Sequence, residues 1–234
     1  MSLYFIVLLG TILGPFALSF DKKVHFYTFW KILFPSILLV GTVFVLWDEY
    51  FTRSEIWGFT PKYLSSIFLG NLPIEEVLFF VLVPYACLFI YEVLIAYFPK
   101  FHPLKASKIF GFTVTFSGLL FGTFYLENWY TASACILSAM LTIGVLFVYR
   151  YSWYTRFFMM YIIAVIPFLI VNGVLTGIAT SEPIVWYSSE HIMGIRLFTI
   201  PVEDLYYNYS MLIMIVWIYE ELKKKYGYYL EKKR

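Results

Sequence analysis

Seven stretches of this chain read as apolar and long enough to cross a bilayer, and that expected count constrains every fold it can adopt. A hydrocarbon layer about 30 Å thick takes roughly 20 residues of helix, and the stretches fall at about residues 2–20, 32–47, 75–98, 109–126, 131–149, 157–176 and 203–219. In lipid every backbone N–H and C=O must find its partner within the protein, so each stretch reads as a helix. Composition agrees: 61% of the 234 residues are hydrophobic and 14% charged, against roughly 25% charged in a soluble domain. No soluble domain, long linker or low-complexity tract separates the apolar segments, so the expectation is one all-α integral membrane domain. The first twenty residues lack a basic leader and a small-residue cleavage site, and read as a retained first helix.

Lysine and arginine set the orientation. Fourteen fall on one side of the seven spans: Lys22, Lys23 and Lys31, then Lys100, Lys105 and Lys108, then Arg150 and Arg156, then six in the C-terminal tail. Three fall on the other, Arg53, Lys62 and Arg196. The asymmetry predicts a C-terminus in the cytoplasm and an N-terminus outside the cytoplasmic membrane.

The chain also repeats itself. At an offset of 128 residues, IFLGNLPIEEVLFF superimposes on IRLFTIPVEDLYYN, and Ile90-Tyr91-Glu92 lands on Ile218-Tyr219-Glu220. With a small gap, Trp57 falls near Trp186 and Asp48 near Asn172. Two parallel three-helix copies joined by a connector helix are expected: residues 1–98, the connector 99–126, residues 127–222, and a basic cytoplasmic tail over 223–234. Helices three and seven then cross in the same direction, and their acid pairs lie at one depth near the outer face.

Those pairs, Glu75-Glu76 and Glu203-Asp204, are the chemical centre of the sequence. Proline followed by acids in the first turn is an ordinary helix start, with Asn71 and Thr199 as candidate N-caps and the carboxylates meeting the positive end of the helix dipole. A doubled pair at matched positions points further, to a shared cavity. Adjacent helical residues diverge by about 100°, so at most one acid of each pair faces the bundle centre. Phe79 and Tyr207 stand four residues after Glu75 and Glu203, on the same face. A carboxyl above an aromatic face can protonate an alkene while the ring stabilises the cation formed. An apolar cavity disfavours a carboxyl's charged form, which leaves one acid to donate a proton and a neighbour to collect one. The same rings at helical spacing also fit plain packing.

Asp48 and Asn172 either line this cavity or mark where helices break toward water. Arg196 either pairs with Glu190, Glu203 or Asp204, or sits at the membrane interface. Glu92 and Glu220, about 25 Å along their helices from Glu75 and Glu203, read with Tyr91 and Tyr219 as interfacial anchors. Cys87 and Cys135 lie in apolar runs and read as packing residues. His25, His102 and His191 fall in separate loops without ligand spacing, so no metal site is expected.

The doubled PIEEVLFF and PVEDLYY motifs, the GIRLFTIPVED lead-in and the seven spans resemble the carotenoid lycopene cyclases of the small integral-membrane type, a family whose two halves occur as separate subunits or fused. The resemblance covers nearly the whole chain. It implies acid-initiated, redox-neutral cyclisation of a linear carotene's end group to a β-ionone ring, with Glu75, Glu76, Glu203 and Asp204 as the catalytic acids. Phe79, Tyr207, Asp48, Asn172, Trp57, Trp186 and Arg196 are the candidates for substrate binding or cation stabilisation. The expected partners are lycopene or a related linear carotene drawn from the lipid phase, membrane lipid, and other carotenoid-pathway enzymes; nucleic acid is not one. The chain has no GxGxxG fingerprint, so neither flavin nor nicotinamide is expected. The second copy departs from the first in Asp204 for Glu76 and in Tyr206-Tyr207-Asn208 for Leu78-Phe79-Phe80. The rival reading is a small transporter or channel whose intramembrane carboxylates relay protons.

Overall fold

The computed structural model describes residues 2–228. The chain is a helical membrane protein, and its described residues form seven α-helices: α1 (Leu3–Leu18), α2 (Trp30–Arg53), α3 (Ile74–Tyr97), α4 (Leu104–Phe124), α5 (Trp129–Ile143), α6 (Tyr154–Leu175) and α7 (Glu203–Lys225). Four helical segments, Phe26–Arg53, Ile74–Tyr97, Trp129–Val148 and Tyr154–Leu175, are long and apolar enough to cross a membrane. Large apolar side chains such as Leu39, Leu46, Phe116 and Ile166 stand exposed on the outer faces of the bundle, as lipid-facing positions do.

Each apolar stretch becomes a helix, with shifts at the ends. Helix α2 runs past its expected limit to Arg53, and α5 passes into a wider π-helical turn over Gly144–Val148. Helix α7 continues to Lys225 because Glu220 and Lys223, which end the apolar run, are buried rather than solvated. Lys223 is therefore part of the core and not of a tail. The tail residues Lys232, Lys233 and Arg234 lie outside the described residues.

Among the described residues, six short strands, invisible to a reading for spans, shape the loops that lead into α3 and α7. Strands β2 (Phe68–Leu69) and β3 (Leu72–Pro73) form a hairpin directly ahead of α3, and β5 (Arg196–Leu197) and β6 (Ile200–Pro201) form another ahead of α7. Their registers match position for position: Phe68 pairs with Pro73 and Arg196 with Pro201. Asn71 and Thr199 occupy the two-residue turns and are not helix caps; Pro73 and Val202 stand immediately before the helices. Gly70 opens the first turn at φ +66, the conformation that two-residue hairpin turns require at that place. In the second turn Phe198 adopts φ +58, and Arg196 braces it by donating from Nη1 to the Thr199 carbonyl at 2.6 Å.

Strand β1 (Trp57–Phe59) pairs antiparallel with β4 (Val185–Tyr187) and ties the α2–α3 and α6–α7 loops together. In that pair Gly58 lies opposite Trp186, the residue 128 positions away, while Trp57 and Phe59 face Tyr187 and Val185. The opposite end of the bundle shows the same exchange. Tyr91 donates to Glu220 at 2.9 Å, and Tyr219 donates to Glu92 at 2.9 Å. Lys223 completes the cluster with a 2.6 Å contact to Glu92. These four tyrosine and glutamate residues are buried and so do not anchor the chain at an interface with water.

Candidate active site

The hairpins fix how α3 and α7 present their first turns, and hence which acid of each pair turns inward. Glu75 is fully buried and faces away from the centre. Its Oε1 accepts from the Ser2 hydroxyl at 2.5 Å and from the Ser65 backbone N–H at 2.7 Å. Glu203 repeats the arrangement with the Thr131 hydroxyl and the Met193 N–H, both at 2.6 Å. Each leading acid thus pins the loop before its helix to a neighbouring helix start.

The second acids, Glu76 and Asp204, face one shared cavity of about 50 Å³ with Asp48 and Asn172. Tyr4 donates to Glu76 Oε2 at 2.6 Å. Asp204 accepts three hydrogen bonds: Tyr130 to Oδ1 at 2.5 Å, Asn172 to Oδ2 at 2.6 Å and Tyr187 to Oδ2 at 2.9 Å. Burial, followed by the Asp204 charge, holds the Tyr187 hydroxyl well above the ordinary tyrosine range, so it remains a donor. By contrast Asp48 Oδ2, the Tyr207 hydroxyl and both side-chain amide atoms of Asn208 are buried without a partner among the described residues, although all three residues line the cavity. Buried polar atoms are nearly always paired, so a cluster of unpaired ones marks a place built to meet something else.

Aromatic rings form the walls. Trp57 and Tyr130 meet edge to face at 4.9 Å, Tyr130 stacks on Tyr187 at 5.9 Å, and Tyr207 packs edge-on against Trp57 and Tyr130 at 5.9 Å each. Phe79 also lines the cavity. Trp186 does not: its ring packs on Gly58. Arg196 makes no ion pair with Glu190, Glu203 or Asp204 among the described residues; its guanidinium stands over the outer side of Tyr187 at 5.9 Å. No three His, Cys, Asp or Glu side chains among the described residues gather closely enough to hold a metal ion.

Carboxyls, hydroxyls and π-faces enclosed together suit proton transfer to and from an apolar molecule. The comparisons with known proteins bear on which one. Residues 1–94 and 127–222 match the family model described as Lycopene cyclase. The chain belongs to the lycopene cyclase family. It is similar to the bifunctional lycopene cyclase/phytoene synthase of Podospora anserina, 31% identical over 107 residues, which make up 46% of this chain and 17% of that protein. Proteins of the same description from Gibberella fujikuroi and Fusarium fujikuroi are 28% identical over 88 residues and 30% identical over 77. These cover 38% and 33% of this chain but 14% and 12% of the relatives, so the matches span under a fifth of the relatives' own length. No solved structure matches the chain.

In this lycopene cyclase family member, four hydrogen-bonding side chains of the cavity, Tyr4, Tyr130, Tyr187 and Asn208, escaped the sequence reading. Asn208 carried a signal, as an amide where the first half of the chain has Phe80. Tyr4 and Tyr130 carried none, because a tyrosine near a helix end reads equally well as an interfacial anchor, and Tyr187 carried none because it stands in the three-residue strand β4, too short to show a pattern.

Proposed function

We propose that the protein is a lycopene cyclase that closes the end group of a linear carotene to a β-ionone ring by proton transfer within the cavity of Asp48, Glu76 and Asp204. The observation that carries this reading is the unequal hydrogen bonding of those three carboxyls inside an aromatic enclosure. Asp204, with three donors, is arranged as a carboxylate, since an ionised acid is an acceptor only. Asp48 has a buried oxygen with no donor. As an anion it would leave that oxygen uncompensated, whereas a neutral acid turns the same oxygen into an O–H donor aimed into the cavity.

The proton therefore starts on the Asp48 and Glu76 side. It adds to the terminal double bond of the substrate, the tertiary cation is attacked by the C5=C6 alkene, and a proton leaves the new ring to Asp204. One proton enters and one departs, no electrons are exchanged, and the product is an isomer of the substrate. Transfer of that proton back across the cavity resets the site. The rings of Trp57, Tyr130 and Tyr207 stabilise the cation through their π-faces. Glu75 and Glu203 act as anchors that set the first turns of α3 and α7.

The architecture proposed for this work is seven spans in two parallel copies related by a pseudo-two-fold axis along the membrane normal. The crosswise Tyr91–Glu220 and Tyr219–Glu92 bonds, the Gly58–Trp186 pairing and the matched hairpins support it. The two matched stretches of the family model agree with copies at 1–98 and 127–222, with residues 99–126 as connector. The basic-residue asymmetry supports an outer N-terminus and a cytoplasmic C-terminus, with the carboxyl cavity near the outer leaflet.

The test is expression in a bacterium that accumulates red lycopene, with the pigments separated by chromatography. Yellow-orange cyclised carotenes are expected. Unchanged lycopene in cells holding abundant membrane-inserted protein overturns the assignment.

A further inference from the structure

The carboxyl cavity, at about 50 Å³, is far below the roughly 300 Å³ at which ligand sites begin, and a carotene terminus reaches it only by way of some larger space. One space adjoins it. A groove of about 490 Å³ runs between α1, α3 and α6, and two of its side chains, Phe79 and Phe168, also line the carboxyl cavity. Small residues on each of the three helices, Gly10, Ala86 and Ala164, open it into a slot. Its one hydroxyl, Thr11, is engaged by the Val7 carbonyl at 3.1 Å. Among its lining residues only the Cys87 thiol, a weak hydrogen-bonding group, is left beside apolar surface, which suits a hydrocarbon without polar atoms.

The matching face on the other side of the bundle is sealed. There Tyr207, the counterpart of Phe79, is packed by Phe44 at 5.0 Å and Trp47 at 5.3 Å. The shallow depression outside those rings, between α2 and α5, shares no lining residue with the carboxyl cavity.

We infer that the α1–α3–α6 groove binds the straight chain of an acyclic polyene, and that Phe79 and Phe168 are the gate through which its terminus passes from the lipid phase to the carboxyls. The inference rests on the cyclase reading for the identity of the chain. It goes further in giving the substrate one lateral entrance rather than two.

Gly10 allows a direct test, because it lines the groove and a Cβ added there meets nothing within 4 Å. Lycopene is achiral, so circular dichroism in its visible band, measured with purified full-length protein in phosphatidylcholine nanodiscs, reports polyene held by the protein whether or not a ring closes. The expected result is a visible signal for the wild type and for Asp204→Asn, with ring closure lost in the latter. Gly10→Phe is expected to lose both signal and ring closure by about tenfold or more, and Met140→Phe, on the opposite face between α2 and α5, to keep both. Retention of both by Gly10→Phe, as when the groove holds only a lipid acyl chain, overturns the proposal. So does an equal loss in Met140→Phe. A signal that Gly10→Phe abolishes, in a protein that closes no rings, sustains the groove and sinks the cyclase reading instead.

Discussion

Glu203 takes a hydroxyl from Thr131 and an N–H from Met193, Glu75 takes the same two kinds of donor from Ser2 and Ser65, and neither lines the cavity that their neighbours share. The substitution Glu203→Gln keeps one acceptor but puts an NH2 donor in place of the other oxygen, which weakens the hold on Thr131 and Met193 at a cost of about 1–3 kcal/mol. It should lower the melting temperature in detergent while leaving ring closure within about tenfold of wild type in the protein that survives. Asp204→Asn and Asp48→Asn should instead cut ring closure by about 10²–10⁴-fold, the usual worth of a positioned acid or base, as read from pigment yield per inserted protein. Equal losses in Glu203→Gln and Asp204→Asn would return both acids to the same role. At this scale the acid pairs were legible in the sequence and their division of labour was not. The 100° between adjacent residues guarantees that they differ, but the hairpin ahead of each helix decides which one turns inward.

Among the elements, α4 and α5 pack most intimately, and the cause is a run of glycines on α4. A Cβ at Gly118 would stand 2.6 Å from the Cys135 backbone carbonyl, so the two backbones approach as they do at small-residue helix contacts in membranes. Gly118→Val should cost about 1–3 kcal/mol by overpacking. A thermal melt in detergent checks this, and an unchanged melt would mean that the pair slides apart freely. The helices themselves were legible because a long apolar run is a strong signal, and four of the segments are long and apolar enough to cross a membrane. The strands were not: two or three residues cannot establish an alternating pattern, and the β1–β4 pair joins residues more than 120 positions apart.

For the whole molecule, the cavity draws Tyr4, Asp48 and Glu76 from before the α3–α4 loop and Tyr130, Asn172 and Asp204 from after it. Residues 1–98 and 99–234 expressed as two chains should therefore restore ring closure together, and neither should show any alone. Activity from one piece by itself would place the chemistry outside the shared cavity. The paired motifs were legible in the sequence and sit at matched hairpins, whereas the buried Lys223 was counted in the sequence among solvated tail residues; a charge cluster at the end of an apolar run does not reveal that a partner waits inside. The unequal sides of the bundle carry one last consequence. A pigment closed at one terminus has to back out, turn end for end in the bilayer and thread again before its second terminus can react, so singly closed product should build up early and decline later in a time course.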